Sequence, residues 1–558
     1  MTASYVYPKY PFRLPHGVVP GSGERRVPLV VVGAGPIGLA AAIDAAQRGQ
    51  EVVLLDDDDT VSVGSRGLCY AKRTIEILDR LGVGDPVVAK GVTWNTGRVF
   101  HRDDEVYHFD LLDAPGHQRP GMVNLQQYYL EEFLVDRAAA LPQVTLCWKN
   151  RVVAAHADAE GATLDVETPS GNYRLRADWL IVADGARSPV RKMLGLDAAG
   201  RVFNDRFLIA DVAMHADFPA ERWFWFDPPF HRGQSVLLHR QADDIWRIDF
   251  QLGWNADPEA EKRPERVIPR IRAMLDHQGY RNVDFSLEWV SVYTFQCRRM
   301  SHFRHGRVLF AGDAAHQVSP FGARGANSGI QDVDNLIWKL DLVMRGKAPV
   351  VLLDSYDVER TAAADENILN STRSTDFITP KSPTALRYRD ATLQLAAHHA
   401  FARALVNSGR LSTPTHYWGS ALCSPDRDHF DCLLRPGSPL DDAPVERDGE
   451  PGWLLRQLAD GFTLMLFTDR PESLGAVLAE FAPLGSDAVP VRCLVISEQP
   501  GTLDGVVVLH DVQHFAAERY DAQEGTAYLI RPDQHIAARW RKPDISSVRA
   551  AVARACGH

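Results

Sequence analysis

The sequence predicts an α/β fold in which a first domain, built on a buried parallel sheet, accepts an inserted antiparallel sheet and is followed by a separate C-terminal domain. Three observations predict it. Apolar runs without alternation, such as Leu29–Val32 and Val308–Ala311, read as parallel strands buried on both faces. Period-2 segments gather at Trp223–Phe226, Ser235–His239 and Ile245–Leu252, the pattern of an antiparallel sheet. The chain has 558 residues, too many for one ordinary core.

Composition excludes several classes. Hydrophobic residues make up 45% and charged residues 24%, the balance of a water-soluble globular protein. The formal net charge of −11 argues against nucleic acid or an anionic membrane as main partner. No apolar stretch reaches the length of a membrane span. Residues 1–27 are polar and rich in Pro and Gly, without the basic-then-apolar order of a signal peptide. They read as a tail along the surface, and a cytoplasmic location is the expectation. The seven cysteines form no CxxC pair, which fits reduced thiols and neither a disulfide framework nor a metal site.

The first motif lies in VPLVVVGAGPIGLAAAIDAAQRGQEVVLLD. A buried strand leads into Gly33, Gly35 and Gly38 in GxGxxG spacing. An Ala-rich helix follows to about Gln47, Gly49 stops it, and a second strand ends at Asp56. The first glycine permits a tight turn, the second lets main chain approach a pyrophosphate, and the third lets helix and strand pack closely. The helix N-terminus offers N–H groups to phosphate, and Asp56 offers acceptors to a ribose diol. The five parts in order indicate a dinucleotide site; alone they do not separate FAD from NAD.

Two later segments do. Residues 178–191, DWLIVADGARSPVR, run from a strand into Asp184-Gly185 and a loop with Arg187 and Arg191. Residues 306–339 run from a strand into Gly312-Asp313, a Pro/Gly loop and a helix. Ile330, Val333, Leu336, Ile337 and Leu340 form that helix's apolar stripe.

Together these segments resemble the FAD-dependent aromatic hydroxylases, single-component flavoprotein monooxygenases similar to para-hydroxybenzoate hydroxylase and phenol hydroxylase. GAGPIGL matches their ADP-binding motif, ADGARS their DG motif and AGDAAHQVSPFGARGANSG their GD motif, in family order over residues 28–375. The resemblance implies an FAD-binding Rossmann-like domain with an inserted substrate sheet. It implies that Gly33, Gly35, Gly38 and Asp56 hold the ADP half of FAD. Arg66 would meet the pyrophosphate and ribose region, and Gln127 would contact the flavin, with Gln126 as rival. Asp184 and Gly185 sit in a motif tied to both FAD and NAD(P)H, and Asp313 matches the acid on the ribityl chain. Pro320, Gly325, Ala326 and Asn327 match the loop against the isoalloxazine ring. Independently, a helix starting at Gly325 would aim its N-terminus at the ring edge where reduced flavin gathers negative charge. His316 reads as structural or cofactor-side rather than as a base, and Arg324 brings a charge into this loop that acts on the ring or on a substrate.

The expected domains follow: a tail over 1–27; the FAD-binding domain over 28–84, 110–200 and 304–375; and the substrate sheet over 85–109 and 201–303. In the third period-2 segment Trp246, Ile248 and Phe250 share one face and Arg247, Asp249 and Gln251 the other. One face then packs while the other is wet. Candidate substrate contacts are His239, Arg240, Arg247, Tyr293 and Pro320, with Arg240 loosely matching a carboxylate contact in the hydroxybenzoate enzymes. No residue is assigned as catalytic, and no metal ligand is assigned.

Residues 376–450 read as a helical and linker region. From 451 to 558, strands at Phe462–Phe467, Val489–Ile496 and Ala527–Ile530, helices at Glu472–Phe481 and Ile545–Ala555, and a strand through Trp540 resemble a thioredoxin-like domain. It lacks CxxC, so a structural role or a homodimer contact is expected of it.

The implied reaction is hydroxylation of a phenolic or amino-substituted ring. NAD(P)H reduces FAD, O2 adds at the flavin C4a position, and the hydroperoxide delivers the oxygen. The same scaffold also suits a halogenase or a reductase, and a non-enzymatic flavin-bound scaffold is a third reading. Substrate-stimulated NAD(P)H oxidation separates the enzymes from the scaffold, and product mass separates the enzymes from one another.

Overall fold

The structure, a computed structural model, describes residues 5–21, 23–112, 114–406 and 411–558. The chain divides into two compact units. Met1–Asp113, Pro120–Gln331 and Thr361–Thr413 form one; Ala114–Arg119, Asp332–Arg360 and Pro414–His558 form the other.

In the first unit, Arg25–Val32 lies between two parallel partners, Tyr173–Val182 and Val52–Leu55. Val144–Cys147 and Val308–Phe310 extend this parallel core on either side. Leu29, Val30 and Val31 are buried, as expected of a strand covered on both faces. Arg151–Asp158 and Gly161–Glu167 add an antiparallel wing to the eight-stranded sheet. A second eight-stranded sheet contains the three predicted period-2 segments as Arg222–Phe226, Ser235–Arg240 and Ile245–Leu252. They pair antiparallel with one another, and the long strands Ala199–Met214 and Phe285–Arg299 continue the sheet.

One face of the second sheet is apolar. Trp225, Val236, Leu238, Trp246, Ile248 and Phe250 cluster there with Val267, Ile271, Met274 and Leu275 of helix Pro264–His277. The other face holds the polar residues treated below. A small sheet joins Cys69–Ala71, Met122–Asn124 and Val92–Trp94. Residues 92–94, expected in the substrate sheet, pair here instead, while Thr96–His101 and Asp104–Asp110 do join the larger sheet.

The N-terminal tail is fastened. Tyr5 stacks on Tyr128 with ring centres 4.1 Å apart and donates to Glu132 at 2.8 Å. Tyr10 stacks on Trp148 at 4.7 Å.

The second unit is a seven-stranded sheet with the order Glu450–Trp453, Pro444–Arg447, Val507–His510, Val491–Ser497, Phe462–Thr468, Ala527–Ile530, Ile536–Trp540. Three of these strands are absent from the sequence reading. Pro444–Arg447 falls in a stretch read as linker and Glu450–Trp453 begins at its end, yet Asp448-Gly449 between them has φ of 53° and 82°, the two-residue hairpin turn that Asp-Gly favours. Trp338, Ala348 and Leu352 pack in this unit's core, whereas their segment was assigned to the FAD-binding domain. An apolar helical stripe announces burial but not its partner. Glu359 lies buried at 2.7 Å from Lys339 and 2.8 Å from Arg531, and Arg531 also donates to Asp533 at 3.0 Å. No helix among the described residues is long and apolar enough to cross a membrane.

Candidate active site

The three glycines of the first motif do different work. Gly33 has φ 105°, and a Cβ there would stand 2.5 Å from the Ala183 carbonyl oxygen. A Cβ on Gly38 would fall onto the Gly33 carbonyl oxygen, so strand and helix meet without room for a side chain. Around Gly35 a Cβ would meet nothing within 4 Å. Gly35 caps helix Pro36–Gln47, so the open space lies where helical N–H groups point outward. Asp56 accepts the Ala34 N–H at 2.5 Å and the Asp58 N–H at 2.8 Å. Burial nevertheless pushes its carboxyl up to about 6.

The DG and GD loops are stitched together. Arg191 donates to the carbonyls of Ala314 at 2.5 Å and Ala186 at 3.2 Å, and Gln317 donates to Ala186 at 2.7 Å. Asp184 accepts the Val190 N–H at 3.0 Å through one oxygen; the other is buried without a hydrogen-bond partner, and burial raises this carboxyl. Gly185 has φ 80° and open space around it. Gly312 packs on Ile37 of the first helix, 2.9 Å from where its Cβ would stand. The exposed Asp313 carboxylate faces the start of helix Gly325–Met344, with Oδ1 4.0 Å from where a Gly325 Cβ would lie.

Asn327 is spent on main chain. Its Oδ1 accepts the Ala71 N–H at 2.9 Å, and its Nδ2 donates to the Cys69 carbonyl at 2.9 Å and the Ala323 carbonyl at 2.5 Å. It thereby clamps the GD loop to strand Cys69–Ala71, and only its main chain is left for a ring. Arg324, expected to act on ring or substrate, is buried and donates to Asn367 at 2.9 Å and the Leu411 carbonyl at 3.4 Å. Its charge is thus engaged within the protein. Pro320 is exposed and Gly325 and Ala326 are half-buried, while Phe321 packs on Phe207 and Phe295 of the polar sheet face, with ring centres 4.9 and 5.2 Å apart.

Residues 62–67, the loop of Arg66, are held from several sides. Glu131 accepts the Ser62 N–H at 2.5 Å and the Ser62 hydroxyl at 2.8 Å. The Tyr7 hydroxyl accepts the Gly64 N–H at 2.9 Å. Gln127 accepts the Gly67 N–H at 2.9 Å and donates to Glu131 at 2.8 Å. Its rival Gln126 is buried and donates instead to the Ala242 carbonyl at 3.0 Å. Arg66 stands exposed, with φ 33°.

On the polar face of the second sheet, register brings Arg222 opposite His239, His239 opposite Arg247, and Arg247 opposite Asp211. Arg247 donates to Asp211 at 3.2 Å, to the Arg66 carbonyl at 2.9 Å and to the Ser65 hydroxyl, which itself bonds Asp211. This face, expected to be wet, is largely enclosed: Asp211, Arg222, His239 and Arg247 are buried. Burial, opposed by the charge of Arg247, pushes the Asp249 carboxyl up to about 6. Burial and the charges of Arg222 and Arg247 hold His239 well below its ordinary value, so it is neutral. Tyr293 stays 44% exposed, yet surrounding protein and then the charge of Asp313 push its phenol up to about 12.

Arg240 does not join this set. Strand alternation turns it to the opposite face, where its guanidinium lies 5.5 Å from the Trp246 ring centre and 3.4 Å from Asp244. Asp211 and Arg222 were missed in the sequence, because only strand register reveals that they share a face with His239.

These residues fit an ADP-containing flavin: an open glycine at a helix N-terminus, a half-buried acid beside it, and an exposed acid facing a second helix start. The family described as "FAD binding domain" matches residues 26–371. A 6-methylpretetramide 4-monooxygenase from Streptomyces rimosus is 30% identical over 545 residues, covering 94% of this chain and 92% of that protein. A para-nitrophenol 4-monooxygenase from Pseudomonas sp. (strain WBC-3) is 30% identical over 372 residues, 65% of this chain and 89% of its own length. Among solved structures, the flavin-dependent monooxygenase PieE in complex with FAD and substrate superposes with a TM-score of 0.79. It is 24% identical, with 96% of this chain and 100% of that one covered, so it shows a shared fold.

Proposed function

The chain belongs to the FAD-binding domain family of flavin-dependent monooxygenases, and from that premise we propose that it hydroxylates a phenolic or amino-substituted aromatic ring with NAD(P)H and dioxygen. Overall, one oxygen atom of O2 is inserted into a ring C–H bond to give a hydroxyl, and the other leaves as water with the hydride of NAD(P)H and one proton, NAD(P)H supplying the two electrons. Bound FAD would supply the redox chemistry. The chain's own residues bind and orient. Gly35 leaves room for the pyrophosphate, Asp56 accepts from the ribose, and Asp313 accepts from the ribityl hydroxyls. The start of helix Gly325–Met344 presents N–H groups to developing negative charge.

The observation that carries this reading is the packing of Phe321, in the GD loop, on Phe207 and Phe295 of the polar sheet face. It supports a ring position beside a face that carries His239, Asp249 and Tyr293. A substrate ring held against that face would be shielded from water and close to the cofactor. The C-terminal unit is read as thioredoxin-like, because strands Phe462–Thr468 and Val491–Ser497 are parallel while Ala527–Ile530 and Ile536–Trp540 return antiparallel. Without CxxC its role is structural, and light scattering on the full chain tests for a homodimer.

The experiment is to purify the holoenzyme and follow oxidation of NADH and of NADPH with a panel of phenols and anilines under O2. A product heavier by one oxygen supports the reading. Coenzyme oxidation yielding only peroxide with every ring would overturn it, and protein without flavin absorbance would overturn the cofactor assignment.

A further inference from the structure

On the enclosed sheet side Ser235 Oγ, Gln241 Oε1, His239 Nδ1 and Asp249 Oδ1 are buried polar atoms without a hydrogen-bond partner, and of these side chains only His239 and Asp249 are ionisable. Asp249 makes none among the described residues, and its Oδ1 is fully enclosed. His239 is 5% exposed and its Nδ1 is likewise enclosed without a partner. The two are near neighbours. His239 pairs with Arg247 and Leu237 with Asp249, so His239 and Asp249 stand on one diagonal of adjacent strands. Such diagonals separate Cβ atoms by about 7–8 Å. That span suits one group at each side of a ring, or on neighbouring rings.

The neighbouring charged groups Asp211 and Arg247 are engaged with protein. Asp211 accepts from Ser65, Gln241 and Arg247, and Arg247 also serves Ser65 and the Arg66 carbonyl. The charge of Arg222 is offset by Asp249 itself. A carboxylate lacking a protein donor calls for a ligand donor, a hydroxyl or an N–H. Neutral His239 donates to or accepts from a second ligand oxygen according to its tautomer. A substrate carboxylate, by contrast, would set a second anion beside Asp249.

We propose that Asp249 and His239 bind the substrate as a pair, and that the substrate is an uncharged aromatic bearing two ring oxygens, at least one a hydroxyl, in preference to an aryl carboxylate. This rests on the hydroxylase reading for its chemistry, but its test is a binding measurement that does not depend on turnover.

Two series of probes are titrated into the FAD-loaded full chain, with flavin absorbance followed to obtain dissociation constants. One is resorcinol, phenol and 3-hydroxybenzoate; the other is 1,3-dihydroxynaphthalene, 1-naphthol and 3-hydroxy-2-naphthoate. In at least one series the dihydroxy probe is expected to bind at least tenfold tighter than the monohydroxy probe, with the carboxylate weakest. Asp249→Asn and His239→Ala should each cut that margin at least fivefold at unchanged FAD content. The wild-type ranking stands as a test even if a variant misfolds. Carboxylates binding as well as the dihydroxy probes, variants that keep the margin, or no binding in either series would each overturn the proposal. Selective binding with no oxygenated product would instead overturn the hydroxylase reading and leave this one standing.

Discussion

The carbonyl oxygen of Gly33 occupies the position that a Cβ on Gly38 would need, three residues into the helix from the open Gly35. Gly38→Ala therefore forces strand and helix apart, at a cost of roughly 1–3 kcal/mol or more. Gly35→Ala meets nothing and should leave the melting temperature nearly unchanged, while its methyl group enters the pyrophosphate space and weakens FAD binding at least about tenfold, or ~1.4 kcal/mol. Thermal melts of the apoprotein and flavin titrations of both variants check this split. A Gly38→Ala protein as stable as wild type would refute it.

Asp56 predicts a pH dependence with opposite signs for binding and for stability. Ribose hydroxyls donate to the ionised carboxylate, so binding FAD expels the proton that burial holds up to about 6. Affinity should be level above that pH and fall by up to about tenfold per unit below it. In the apoprotein the raised value favours the protonated fold, so this group adds stability as pH falls through about 6 and loses it as pH rises. Titrations and apoprotein melts between pH 5 and about 8, compared with an Asp56→Asn variant so that the contribution of Asp249, also pushed up to about 6, cancels, read the two separately.

Asp313 is exposed and faces the start of helix Gly325–Met344. Asp313→Ala should lose bound FAD on gel filtration and keep the apoprotein melting temperature. Full FAD retention would remove the ribityl assignment.

Tyr7 reaches from the N-terminal segment to the Gly64 N–H. Tyr7→Phe removes one acceptor, worth about 0.5–1.5 kcal/mol of hold on residues 62–67. FAD should dissociate severalfold faster by stopped-flow displacement. Tyr5→Phe is the control, since the Tyr5 hydroxyl serves Glu132 and not the loop. Equal rates in both variants would show that the tail does not steady the loop.

Glu359 is the shared partner of Lys339 and Arg531 in the second unit. Glu359→Ala leaves buried Lys339 without its carboxylate and Arg531 with Asp533 alone, and should cost about 3–5 kcal/mol. The lost partner also holds the buried Lys339 ammonium at about 8, against the larger effect of burial. Urea unfolding of this variant checks the magnitude.

What the sequence made legible was local. Gly33 to Asp56 declare a strand, a turn and a helix through residues close in the chain, and so do the loops at Asp184 and Asp313. The alternation of Ile245–Leu252 fixed two faces but not which one was enclosed. That depends on pairing with Arg222–Phe226 and Ala199–Met214, and pairing is set by register across distant segments. Arg240 failed for the same reason, since one residue of parity moved it to the opposite face. Asp448-Gly449 was a readable hairpin signal that a polar, Pro-containing context obscured. The ties of Tyr7 and Glu131 to residues 62–67 had no signature at all, because a hydroxyl or carboxylate announces no particular N–H.

The alternation within Ile245–Leu252 has an evolutionary consequence. Trp246, Ile248 and Phe250 carry the packing on helix Pro264–His277, while Arg247 and Asp249 lie on the opposite face. A substitution at Asp249 leaves the apolar cluster intact, so ligand preference and folding drift under separate selection. One short strand thereby lets descendants of this chain try new substrates without first becoming unstable.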